Sequence, residues 1–293
     1  MKNKSGHIVL ISLIVALGGF LMGFDASVIS GVVKFIEPEF NLSKIELGWA
    51  VSSLTLTATL AMMIAGPLSD RWGRKRVLSM AAVLYALSAI LSAIAPTFVF
   101  LVIARMLGGF GVGASLIIAP MYIAEIAPPK SRGRMVSFNQ LNIVIGISAA
   151  FFTNYLILKY SQSGADWTKA IGLDTYNWRY MLGLEAVPAI LYFVALFVVP
   201  RSPRWLIMKG KDQEAFAIMK KANGEQVAAL EIKAVKQSLE SDTNKEKVKL
   251  KEIFSPVLRT VLTIGIVLAA LQQLTGINSV FFYAPMIFEQ TGL

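Results

Sequence analysis

The sequence predicts an all-α polytopic membrane protein, on three observations. Apolar residues fill 55% of the 293 positions and charged ones only 16%, with a mean hydropathy of +0.62; a soluble domain has too little polar surface to cover such a chain. Seven stretches, near 8–33, 48–68, 77–95, 98–124, 135–158, 180–199 and 257–288, are long and apolar enough to cross about 30 Å of hydrocarbon as helices. Most of the 28 Lys and Arg fall in alternate connections. That bias predicts a plasma-membrane protein with its N-terminus cytoplasmic. The net charge of +10 therefore orients the chain in lipid, its expected surroundings, and predicts no nucleic-acid partner.

The first span follows Lys2 and Lys4, as in a signal peptide. Its apolar run continues about 25 residues without a small-residue cleavage site, which predicts a retained helix. Its Gly18-Gly19-Phe20-x-x-Gly23 recurs in the fourth span as Gly108-Gly109-Phe110-x-x-Gly113. Glycines so spaced let helix backbones approach closely in lipid, and recurrence three helices on suggests two three-helix units. Asp25 lies two-thirds along the first span and Arg105 within the fourth. Charges at such depth are costly unless paired or wet. If the two spans pack together they neutralise one another, either as a static ion pair or as one that loads and releases a proton when it opens.

Between the second and third spans, "GPLSDRWGRKR" places Asp70 beside Arg71 and Arg74 across a glycine turn. The fourth span ends in "YIAEIAPPKSRGR", with Glu125, Arg132 and Arg134. These sets are either topology determinants or breakable salt bridges closing the cytoplasmic side; single exposed pairs are worth less than about 1 kcal/mol, so only a network has leverage. The fifth span carries Gln140. Residues 200–256 are polar and lysine-rich, with an N-cap at Asp212 and a stop at Asn223-Gly224, and predict short surface helices. In the seventh span, "QQLTGIN" sets Gln272, Gln273 and Asn278 in an apolar run, with Gly276 free to let the helix bend or unwind. Amides donate and accept, which suits neutral polyhydroxylated ligands; they also serve as glue between helices. The chain has no Cys and one His, so no disulfide, metal site or cofactor is expected. No nucleophile–base set or phosphate loop suggests an enzyme.

Taken in order, "GFDASVISG", "DRWGRKR", "PMYIAEIAPPKSRGR" with "FNQ", "PRSPRWL" and "QQLTGINSVFFYAP" resemble the sugar porter family of the major facilitator superfamily over essentially the whole chain. The resemblance implies a twelve-helix fold of two halves with a monosaccharide held between them. Gln140, Gln272, Gln273 and Asn278 match the family's sugar-hydroxyl ligands, Asp25 the proton-carrying carboxylate, and Arg105 its partner. Phe282 and Tyr283 match an aromatic outer gate. Asp70, Arg71, Arg74, Glu125, Arg132 and Arg204 match a cytoplasmic gate network. The implied division is a six-helix half at 1–199, a cytoplasmic helical domain at 200–256, and the seventh span at 257–293 as the start of a second half. The family's usual "PESPR" reads "PRSPR" here, so Arg201 replaces a glutamate, and Phe282 stands where tyrosine is common. The expectation is a transporter truncated after its seventh span, its partner C-terminal half missing. It would move a pentose or hexose by proton symport; an uncoupled facilitator and a non-transporting sugar sensor or scaffold are the alternatives.

Overall fold

A computed structural model describes residues 2–128, 131–243 and 255–290, which contain helices and no strand. Five helices run uninterrupted: α1 (Lys2–Glu39), α2 (Lys44–Trp72), α3 (Arg74–Ala93), α4 (Phe98–Ile126) and α5 (Arg132–Ser161). The 29 residues of α2 and of α4 give each about 44 Å of length at 1.5 Å per residue, well beyond the hydrocarbon core. Their starts are capped as the sequence allows. Ser43 and Glu46 form a capping box on α2, and the Thr97 hydroxyl accepts the Phe100 N–H at 3.3 Å on α4.

The sixth predicted span is broken. After a short α6 (Asp166–Ala170), α7 (Asn177–Gly183) and α8 (Ala186–Ala195) are joined by a turn at Leu184-Glu185. Pro188 is the reason: it has no N–H to return to the Leu184 carbonyl, and that carbonyl instead accepts the Val187 N–H at 3.1 Å. The polar insert folds into α9 (Pro203–Met208), α10 (Asp212–Asn223) and α11 (Glu225–Thr243). Asp212 sits in the first turn of α10, with Lys211 at the cap position. The seventh span is also broken, into α12 (Pro256–Leu274) and α13 (Ile277–Gln290), at Thr275-Gly276. Gly276 takes φ +73°, left-handed backbone that favours glycine.

The packing of the bundle follows the glycines. α1 lies along α5, while α4 is held between α2 and α3. A Cβ on Gly23 would overlap the carbonyl oxygen of Ile143 in α5, and one on Gly146 of α5 would overlap that of Phe20 in α1. In α4, Gly109 and Gly113 are crowded in the same way by Thr57 and Ala58 of α2. The two recurring glycine motifs thus do the same job. The first helix of each three-helix unit packs on the second helix of the other, the exchange an internal repeat produces.

At the end opposite the polar insert, Glu39 accepts the Arg179 guanidinium at 3.1 Å and the Trp178 indole N–H. Arg179 also donates to the carbonyls of Ala93 and Ala95, at 3.2 and 2.7 Å, satisfying the C-terminus of α3. The outer faces carry exposed apolar rows such as Leu56, Leu60, Met63 and Ile64 on α2, a surface that only lipid or further protein can cover.

Candidate functional site

Asp25 and Arg105 meet in the interior. The Arg105 Nη1 stands 3.3 Å from Asp25 Oδ1, and both side chains are at most 3% exposed. α1 and α4 come close enough for this because Gly108, one turn beyond Arg105, lies against the same carboxylate; a Cβ there would be 3.2 Å from Oδ2. At that separation the attraction is on the order of 5 kcal/mol for an effective dielectric of about 20. Desolvating the two ions costs a similar amount, so the net contribution of the pair to stability is small.

A third charge completes the site. Glu185, in the turn between α7 and α8, is 3% exposed and close enough to interact electrostatically with both Asp25 and Arg105. Among the described residues, Asp25 Oδ2, Arg105 Nε and Glu185 Oε1 have no hydrogen-bond partner. Two buried carboxyls thus lie within electrostatic reach of one guanidinium, which is ion-paired with Asp25 alone among the described residues. The set is electrically neutral when it holds one proton. Sequence reasoning passed over Glu185, although an acid flanked by "MLGL" and "AVPAIL" inside a predicted span was the signal.

At the basic end of the bundle, Arg74 is the centre of a network. It is 4% exposed and reaches Asp70 at 2.7 Å and Glu125 at 2.9 Å. The Ser202 hydroxyl, which also caps α9, donates to Glu125 at 2.5 Å. Asp70, Arg74 and Glu125 are therefore joined, with Ser202 as a member the sequence did not suggest. Among the described residues no ion pair engages Arg71, Arg132 or Arg204. Arg132 and Arg204 line a cavity of about 760 Å³ between the end of α4, α9 and α11, beside Asp70 and Glu125.

The amides are placed differently. Gln140 is exposed on α5 beside Leu141 and Val144, and Gln272 and Gln273 are exposed on α12, which is uncovered along nearly its whole length. The side chain of Asn278 lies outside the described residues. Phe282 and Tyr283 are half-buried and bring α13 against the apolar cluster of Phe24, Val28 and Trp178.

Two six-residue glycine motifs, a reciprocal helix exchange and charges buried at mid-bundle define a multi-pass membrane protein of the major facilitator fold, and known proteins agree. A family model described as "Sugar (and other) transporter" matches residues 11–293, and the chain belongs to that family, one of transporters rather than enzymes. The arabinose-proton symporter of Bacillus subtilis (strain 168) is 41% identical over 99% of this chain and 61% of its own length. The D-xylose-proton symporter of Escherichia coli (strain K12) is 36% identical over 99% of this chain and 62% of its own. Among solved structures, the partially occluded inward-open xylose transporter XylE from E. coli superposes with a TM-score of 0.82 at 36% identity, covering 96% of this chain and 66% of that one. XylE bound to 6-bromo-6-deoxy-D-glucose gives 0.83 at 34% identity, covering 99% and 64%. The chain spans about 60% of the length of the curated relatives it matches.

Proposed function

We propose that this chain is part of a proton-coupled symporter for a pentose or hexose that works by alternating access. The buried Asp25–Arg105 pair, with Glu185 beside it, carries the reading. A permanently neutral pathway needs no ionisable group at this depth, whereas a set that is neutral only with a proton bound can exchange that proton as the bundle rocks. The relatives named as arabinose- and xylose-proton symporters support both the cargo and the coupling.

In this reading residues 1–199 form one six-helix half, 200–256 a cytoplasmic helical domain, and 257–293 the first helix of a second half. The N-terminus is cytoplasmic and the membrane is the plasma membrane. Gln140, Gln272, Gln273 and Asn278 bind sugar hydroxyls, and the exposure of Gln140 and Gln272 leaves those two accessible to a ligand. Phe282 and Tyr283 close the outer side. Arg74, tied to Asp70 and Glu125, anchors the cytoplasmic gate, and Arg71, Arg132 and Arg204 add contacts in the closed state.

The test is sugar uptake in weakly buffered cells expressing the protein. Added xylose or arabinose alkalinises the medium, and Asp25→Asn abolishes both the pH change and accumulation while sparing sugar exchange. Accumulation that survives Asp25→Asn removes the coupling role. Uptake with no pH change makes the protein an uncoupled facilitator, and saturable sugar binding without uptake makes it a sensor or scaffold.

A further inference from the structure

Arg201, the residue that departs from the usual "PESPR", does not join the Arg74 network. Its side chain is 46% exposed and turns toward the start of α3. There it lines a recess with Trp72, Arg74, Lys75, Arg76 and Trp205, a lining that contains no carboxylate. Lys75 and Arg201 lie close enough to repel one another. The nearest acids are engaged elsewhere or shared: Asp70 is bound to Arg74 at 2.7 Å, and Glu214, bound to Lys211 at 3.4 Å, makes only a long, exposed ion pair with Arg201 at 3.8 Å. Arg74 is neutralised by Asp70 and Glu125, Arg201 has only that long ion pair, and Lys75 and Arg76 have no ion pair among the described residues. Four cations thus line the recess with no carboxylate in its wall.

Their position fixes which anion fits them. Lys75 donates to the carbonyl of Phe197 at 3.0 Å, at the end of the sixth span, where Phe197 and Val198 are 68% and 66% exposed. Arg76 heads an exposed stripe on α3 that continues through Met80, Val83, Leu87 and Ile90, the spacing of one helix face. A positive recess thus sits directly above an apolar strip as long as an acyl chain. Water-soluble anions gain nothing from the strip, whereas a phospholipid gains from both.

We propose that Lys75, Arg76 and Arg201 hold the phosphate of an anionic phospholipid, with its acyl chains lying along the Arg76–Ile90 face of α3. The site is separate from the charge set at mid-bundle, and its occupancy does not depend on sugar transport.

The test is native mass spectrometry of the detergent-purified full chain with dioleoyl phosphatidylglycerol or dioleoyl phosphatidylcholine. Phosphatidylglycerol is retained in preference to phosphatidylcholine, and Arg201→Glu lowers its retention about fivefold or more, the factor expected for one basic side chain at an anionic surface. Lys159→Gln, at the other end of the bundle, leaves it unchanged. Arg201→Gln and Arg76→Gln each lower retention in the same direction and serve if the charge reversal fails to fold. Excess inorganic phosphate does not displace the lipid. Retention at the wild-type level in the Arg201 and Arg76 variants, equal retention of phosphatidylcholine, or displacement by inorganic phosphate each overturns the assignment.

Discussion

Arg105 is ion-paired with Asp25 and lies within electrostatic reach of Glu185, so its loss is felt more than that of either acid. Arg105→Ala leaves Asp25 and Glu185 buried without a counter-charge, and removing one partner of a buried pair costs about 3–5 kcal/mol. The expected outcome is a strongly lowered melting temperature in detergent, partly restored by adding Asp25→Asn to the same chain. Glu185→Gln keeps the shape of the side chain and removes the second acid. It should leave the fold intact and shift the pH dependence of accumulation, read as uptake against external pH. The Asp25–Arg105 pairing was legible in the sequence because an acid and an arginine deep in apolar runs have few ways to avoid each other. Glu185 was not read because it falls near the edge of its predicted span, where an acid is ordinarily taken to be at the water interface. Only the turn that Pro188 imposes brings it inward.

The helices themselves depend on glycines whose neighbours differ sharply. Gly23 has no room for a methyl group against Ile143, whereas nothing lies within 4 Å of a Cβ built on Gly48 of α2. Gly23→Ala should force α1 and α5 apart and cost about 1–3 kcal/mol, the range for overpacking. Gly48→Ala should be neutral or slightly stabilising, since alanine is favoured over glycine in a helix by about 1 kcal/mol. Thermal unfolding of the two variants side by side checks this. Gly276→Ala should cost about 1–2 kcal/mol, because its left-handed backbone excludes a Cβ, and should favour a straight seventh helix. Five helices and the break at Gly276 were readable from hydropathy and from one glycine among polar residues. The break in the sixth span was not, since an average over some twenty residues does not register one missing N–H at Pro188. Nor did hydropathy show that α12 stands uncovered while α13 docks on α1; that is decided by which partners are present, not by the helix's own composition.

At the scale of the whole molecule, the basic end is held by few contacts of high value. Arg74 is buried and bonded to two acids on different elements, so Arg74→Gln should loosen α2 from α4 and α9 together. The expected loss is about 3 kcal/mol or more, whereas Arg132→Gln, an exposed residue without an ion partner among the described residues, should change stability by less than about 0.5 kcal/mol. Limited proteolysis in the 200–243 region reports the difference, with cutting accelerated only in the first variant. The basic character of this end and the charges around Arg74 were plain in the sequence, but not that Ser202 would donate to Glu125 or that Arg201 would turn away from the network. Those depend on how α9 is set down. The exchange of first helices between the two three-helix units has a mechanical consequence. Neither trio can slide without dragging its counterpart, so α1, α2, α4 and α5 behave as one stiff plate under load. Among the described residues, tilting is taken up at the helix breaks Leu184-Glu185 and Thr275-Gly276, and a cross-link placed across either should arrest motion that one inside the plate would leave untouched.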